Sequence, residues 1–242
     1  MTYIEGFVLA VPAANKAAYI KHAKDAFELF RDYGVTRMVE TWESDVSDGK
    51  VTDFRRAVKA KPDEKIVFSW FEYPSKAVRD AANEKMMNDP RMQDMSSDMP
   101  FDGMRLIFGG FDTISDKRKP GGSGYVNGSL FAVPAANKAD FEVFAKQMAE
   151  LFTEYGATRA LDAWGEDLPA GKVTDFQGAV QAKDDETVVF GWIEWPSKAD
   201  GDAAWEKLMA DPRMAEATMP CDGQRMVFGG FEPIVDLTAE AG

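Results

Sequence analysis

The chain repeats itself. AVPAANKA at residues 10–17 returns at 132–139, an offset of 122, and GKVTDF (49–54) and DPRM (89–92) return at 171–176 and 211–214 with the same offset. Past Met92 the second copy is two residues shorter, so MPFDGMRLIFGGF (99–111) aligns with MPCDGQRMVFGGF (219–231) at an offset of 120. Self-similarity over so long a period marks each copy as a folding unit rather than as one turn of a solenoid. The 242 residues therefore divide into two domains, each large enough to bury a core yet gaining from a packed neighbour. The division places the first repeat at 1–114, a connector at 115–124 and the second repeat at 125–236. The connector, SDKRKPGGSG, mixes charge with Pro and Gly, as a flexible link does.

Within one copy the patterning reads β-α-β-β-α-β. Tyr3 to Val11 is a strand, and Pro12 introduces a helix from about Ala13 on which Tyr19, Ala23, Phe27 and Phe30 share one stripe. Gly34 ends that helix, and Val35 to Glu43 forms a strand. The polar stretch 44–61 contains TDFRRAV (52–58), open to reading as a short extra strand. Ile66 to Tyr73 is a strand, Ser75 caps a helix over 76–88, and Arg105 to Phe111 is the last strand. The second copy repeats these elements, with strands near 125–133, 157–165, 188–195 and 225–231 and helices at 135–155 and 198–210.

This order is that of a ferredoxin-like unit: an α+β fold with a four-stranded antiparallel sheet and both helices on one face. In the strand 66–73, Phe68 and Trp70 alternate with Val67, Ser69 and Phe71, so both sheet faces are apolar. The face without helices needs a cover. The other copy, tethered at high local concentration, supplies it. Two ferredoxin-like βαββαβ units with sheets packed face to face make an internal pseudo-dimer, which runs as a monomer or as a further homo-oligomer built through another surface.

Several motifs run through both copies: G-x-x-x-A-V-P-A-A-N-K, Y-G-[VA]-T-R, G-K-V-T-D-F, W-x-E-x-P-S-K, D-P-R-M and F-D-G-x-R-x-[IV]-F-G-G-F. Together they resemble the YbaA-like bacterial family of unknown function, over residues 3–112 and again 125–232. The second copy departs from the pattern at Cys221, where the first has Phe101. The resemblance implies a dimeric α/β-barrel, normally made by two single-copy chains and here by one. That superfamily includes cofactor-independent monooxygenases, haem-degrading enzymes and stress-induced proteins, so it does not select a reaction.

Composition narrows the partners. A net charge of −13 repels phosphate backbones, and the one basic cluster, Lys117 to Lys119, sits in the connector; no nucleic-acid partner is expected. No apolar run reaches the length of a membrane span, and the N-terminus lacks a signal-peptide pattern, so the expectation is a cytoplasmic protein with no membrane partner. One cysteine, Cys221, rules out an internal disulfide and reads as a structural thiol. The one histidine, His22, lies off the helix stripe and reads as a surface residue; with one His and one Cys, no metal or cofactor is expected.

The grouping with most chemical content is Arg37, Trp42, Trp70, Glu72 and Arg105, matched by Arg159, Trp164, Trp192, Glu194 and Arg225. Arg37 and Glu72 lie on neighbouring antiparallel strands, where a cross-strand ion pair contributes roughly 0.2–1 kcal/mol with the tryptophans as core. The functional reading of the same residues is an aromatic-walled pocket with Arg holding a carboxylate. Lys50, Asp53, Lys172 and Asp175 in GKVTDF read as a solvated turn or the cap of a cavity. Gly109-Gly110 and Gly229-Gly230 lack phosphate-loop spacing and mark a bend or bulge. The copies differ at Glu5/Asn127, His22/Phe144, Asn83/Trp205 and Phe101/Cys221, which allows divided roles. These observations point to binding of a small anionic or aromatic molecule between sheet and helices, with or without cofactor-independent catalysis. The competing expectation is a non-catalytic interaction or stress-related protein that works through its surface.

Overall fold

Alternation along the strands decides the architecture. A computed structural model describes residues 2–92 and 99–239. The first repeat contains β1 (Tyr3–Pro12), α1 (Lys16–Asp32), β2 (Arg37–Asp45), α2 (Phe54–Ala57), β3 (Glu64–Tyr73), α3 (Lys76–Asn88) and β4 (Ile107–Arg118). The second contains β5 (Tyr125–Pro134), α4 (Lys138–Glu154), β6 (Arg159–Asp167), α5 (Phe176–Ala179), β7 (Glu186–Trp195), α6 (Lys198–Ala210), α7 (Pro212–Glu216) and β8 (Val227–Thr238). Strand order is β4-β1-β3-β2 in one repeat and β8-β5-β7-β6 in the other, antiparallel throughout. The two ferredoxin-like sheets also join at their edges, β2 to β8 and β4 to β6, closing an eight-stranded barrel. Closure leaves no unpaired sheet edge.

Ile66, Phe68 and Trp70 point into the barrel, whereas Phe71 and Tyr73 point outward to the helices. Inside, Phe68 stacks on Phe190 with centroids 4.4 Å apart, and Trp70 on Trp192 at 4.2 Å. Such pairs add about 0.5–1.5 kcal/mol to the area they bury. The Phe pair depends on glycines in the facing strands: a Cβ at Gly6 would stand 2.8 Å from the Phe190 ring, and one at Gly128 would stand 3.0 Å from Phe68. The uncovered sheet face inferred from the sequence is thus the barrel lining.

Three local readings change. TDFRRAV is not a strand: Asp53, in extended conformation, accepts hydrogen bonds from Arg56 N at 2.8 Å and Gly49 N at 3.2 Å and starts α2. Phe54 then drops, fully buried, into the barrel beside Phe231. Thr52 Oγ1 donates to Ala179 O at 2.6 Å and Thr174 Oγ1 to Ala57 O at 2.5 Å, so GKVTDF is the plug where the repeats meet, with Lys50 and Lys172 exposed. The connector is shorter than expected, because Ser115 to Arg118 continue β4 and pair with β6, leaving 119–124. Arg105 and Arg225 precede the last strands, in 3-10 turns. Elsewhere α3 and α6 begin behind Ser75 and Ser197, whose hydroxyls accept from Val78 N and Asp200 N. Gly34, at φ +102°, ends α1 as expected. The stretch where the repeats differ in length, 93–98, lies outside the described residues. Among the described residues no helix is long and apolar enough to cross a membrane.

Candidate functional site

The ten residues singled out from the sequence occupy three kinds of place. Arg37, Trp70, Glu72 and their counterparts Arg159, Trp192 and Glu194 converge where the repeats meet at the end of the barrel beside the connector. The register sets Arg37 opposite Glu72, as the hairpin reading required, and their ion pair measures 3.4 Å. The closer partners come from the other repeat. Arg37 grips Glu194 with two bonds of 2.9 and 3.0 Å, and Arg159 grips Glu72 with bonds of 2.5 and 3.2 Å. Asp236 and Asp116 take the outer edges of the two guanidinium groups. Each guanidinium also lies over a tryptophan, Arg37 at 5.8 Å from Trp70 and Arg159 at 5.1 Å from Trp192.

Arg37, Glu72, Arg159, Glu194 and Asp236 line a polar recess of about 590 Å³ beside the connector. Burial pushes the Glu72 and Glu194 carboxyls up, but Arg159 and Arg37 respectively outweigh it and hold both below the usual carboxylate range. The donors that would seize an incoming anion are therefore already engaged by carboxylates. Removing one partner of such a network is far costlier than the network's net contribution.

Arg105 and Arg225 serve elsewhere. Arg105 forks onto Glu64 at 2.6 and 2.7 Å, reaches Asp102 at 2.8 Å and donates to Lys59 O, tying the turn before β4 to the loop after α2. Arg225 repeats this with Glu186, whose carboxyl it holds down at about 2. Trp42 and Trp164 face outward beneath Lys16 and Lys138, with Trp42 packed near Tyr19 and Leu9.

On the same outward face of the first repeat's sheet, a cavity of about 730 Å³ lies between the sheet and helices α1 and α3. Its sheet wall is built by alternation: Glu5, Phe7 and Leu9 from β1, Met38 and Glu40 from β2, and Ser69 and Phe71 from β3. The helices add Tyr19, His22, Ala26, Phe30, Asn83 and Met86, and Phe101 and Phe108 complete the walls. His22 is half-buried here, edge-on to Phe101 at 6.0 Å, which corrects the expectation of a surface histidine.

Glu40 is the chemically distinctive group. Burial pushes its carboxyl up to about 7, against the opposing hydrogen bonds from Tyr19 and Ser69. Tyr19 Oη donates to Glu40 Oε2 at 2.6 Å. Glu5 is also raised by burial, opposed by Arg79 and by hydrogen bonds from Asn83 and Tyr73. A carboxyl poised near neutrality in an apolar cleft is suited to accepting a proton. Glu40 did not stand out in the sequence, because a polar residue on an alternating strand looks like an ordinary solvent-facing position, and Glu5 did so only as a place where the copies differ.

The second repeat keeps the frame and a raised carboxyl but changes most of the side chains around it. Tyr19 becomes Phe141, Ser69 becomes Gly191, Glu40 becomes Asp162, His22 becomes Phe144 and Asn83 becomes Trp205. Asp162, half-buried, is likewise pushed up to about 7 by loss of solvation. Phe141 packs against Phe131 and Phe144, and Cys221 joins that cluster with its thiol pushed up to about 12 by burial. Burial thus disfavours the thiolate that nucleophilic chemistry would need. Among the described residues no cluster of His, Cys, Asp and Glu forms a metal site.

Comparison with known proteins agrees with the duplication. The family model described as "Protein of unknown function (DUF1428)" matches residues 2–103 and again 124–223. The uncharacterized protein YbaA of Escherichia coli K12 is 61% identical over 117 residues, all of that protein and 48% of this chain. YbaA of Shigella flexneri matches to the same extent. Among solved structures, a candidate monooxygenase from Fusobacterium nucleatum superposes with a TM-score of 0.61 at 12% identity, covering 100% of this chain and 95% of that one. An anthrone oxidase-like protein gives a TM-score of 0.57 at 10% identity, covering 99% and 94%. At such identities the likeness is one of fold.

Proposed function

The chain belongs to the DUF1428 family, described as being of unknown function, and we propose that its first repeat binds a small, neutral, largely apolar molecule with Glu40 as proton acceptor. The observation that carries this is the cleft of about 730 Å³ whose mostly apolar walls include a buried carboxyl raised to about 7. That volume lies within the usual range for small-molecule sites, roughly 300–1,000 Å³. Among the described residues, the charged side chains that line it include the carboxylates Glu5, Glu40 and Asp89 and no lysine or arginine, so an anionic ligand is disfavoured. This moves the ligand from the anion-holding arginines to the opposite face of the same sheet. A carboxylate near neutrality can accept a proton from a weakly acidic O–H, N–H or activated C–H group, and Tyr19 and Ser69 stabilise its charged form.

The test is a screen of neutral aromatic and aliphatic fragments by ligand-observed NMR, with acidic fragments as controls. Neutral fragments that bind the wild type should lose binding in Ala26→Trp, which fills the cavity from α1. A screen in which no neutral fragment binds, or in which Ala26→Trp leaves binding unchanged, overturns the reading.

A further inference from the structure

The second repeat shows what shape the first repeat's cavity accepts. At the position of Asn83 it carries Trp205, whose indole Nε1 donates to Asn127 Oδ1 at 2.8 Å. The ring lies 5.6 Å from Phe152 and 5.9 Å, edge-on, from Phe228. The counterparts of these neighbours in the first repeat are Glu5 for Asn127, Phe30 for Phe152 and Phe108 for Phe228. All three line the open cavity, as does Asn83. The surroundings are thus shared, and the side chain that fills them in one repeat is cut back in the other.

The hydrogen bonding matches as well. Trp195 Nε1 donates to Asn127 Oδ1 at 2.8 Å, and its counterpart Tyr73 donates through its hydroxyl to Glu5 Oε2 at 3.3 Å. Asn127 thus receives two N–H groups on one amide oxygen, whereas a carboxylate at Glu5 offers two oxygens and about four lone-pair sites. Glu5 has acceptor capacity beyond Tyr73 and Asn83 for a donor entering from the cavity.

Resting on the cavity reading above, we propose that the first repeat takes a planar aromatic molecule bearing an N–H or O–H donor, with the donor on Glu5 and the ring between Phe30 and Phe108. Trp205 is the built-in analogue of that ligand, and the second repeat is its permanently filled form. Each chain then binds one molecule. The cavity is larger than an indole, so the ring is the anchor of the ligand and the space toward Glu40 holds the remainder.

The probes are indole and 1-methylindole, the same ring without its donor, titrated calorimetrically into the intact wild-type chain. Indole should bind with one site per chain and 1-methylindole at least about tenfold more weakly, the loss expected when a buried acceptor is left without its donor. Asn83→Trp, which copies the second repeat into the first, should abolish indole binding and raise the melting temperature. Trp205→Asn should increase the stoichiometry from one to two. Equal affinity for the two indoles overturns the donor on Glu5, and undiminished binding to folded Asn83→Trp overturns the placement of the ring. If neither indole binds while other neutral fragments do, this inference falls alone; if no fragment binds either, the cavity reading falls with it.

Discussion

Glu40 makes the structure's most direct demand on solution behaviour. Its carboxyl is raised by burial from an ordinary 4.5 to about 7. At pH values below the unfolded pKa the group is protonated in both states and costs nothing. As pH rises from there toward 7, the unfolded chain releases a proton that the folded chain retains, so folded-state stability falls with pH. The gap of roughly 2.5 units, at about 1.36 kcal/mol per unit, corresponds to about 3 kcal/mol lost by pH 8. Glu40→Gln cannot ionise and keeps an acceptor for Tyr19, so it should match the wild type near pH 4.5 and exceed it by about 2–3 kcal/mol at pH 8. In urea titrations followed by tryptophan fluorescence this is a midpoint difference on the order of 1 M, absent at low pH and growing through neutrality. Taking the difference between variant and wild type cancels the carboxylates that titrate in the opposite sense, such as Glu72 and Glu194. Asp162, raised to about 7 in the second repeat, supplies an independent replicate through Asp162→Asn. Wild-type and Glu40→Gln midpoints that stay parallel from pH 4.5 to 8.5 would refute the argument that Glu40 is held protonated by burial.

Three further outcomes follow from the geometry. Tyr19→Phe, which copies Phe141, removes a hydrogen bond that stabilises the Glu40 carboxylate, so the pH-dependent loss of stability should start at the same pH but extend to higher pH and grow larger; a loss that ends at lower pH contradicts the 2.6 Å contact. Arg159→Met leaves Glu72 buried without its closest partner and should cost about 3–5 kcal/mol in chemical denaturation. A loss below about 1 kcal/mol would show that Arg37 and Arg118 suffice to compensate it. Residues 1–118 expressed alone expose the β2 and β4 edges that normally pair with β8 and β6, and should sediment as a homodimer; a stable monomer would show that barrel closure is dispensable.

Much of the local structure was legible because its causes act within a few residues. Ser75 and Ser197 announce α3 and α6 through caps spanning three positions, and the 19-23-27 stripe marks the face of α1 that packs inward. The alternation of Phe68 and Trp70 against Phe71 showed that both faces of the sheet needed covering. The Asp53 cap was equally local, yet TDFRRAV looked extended; what makes it a helix is the burial of Phe54 in a barrel end built by both repeats.

The site was half legible. Four of the positions where the copies differ in chemistry, Glu5, His22, Asn83 and Phe101, all line the cavity, so comparing the repeats pointed to it without revealing that they meet. The motif-like group Arg37, Glu72, Arg159 and Glu194 drew attention instead, and its main bonds join residues 157 and 87 positions apart. No local rule predicts which of two acidic partners an arginine will choose.

The amino-acid order by itself determined two copies of one βαββαβ unit, the alternation that makes each sheet apolar on both faces, and hence that the copies must pack together. Those consequences rest on backbone periodicity and capping, which need only near neighbours. The tertiary structure decided that the edges join into a closed barrel, that the arginines pair across the repeats, and that one outer face is hollow while its twin is filled. A cavity is the volume that side chains from separate elements leave unfilled, so exchanging Asn83 for Trp205 acquires meaning only when β1, α1 and α3 have come together around it.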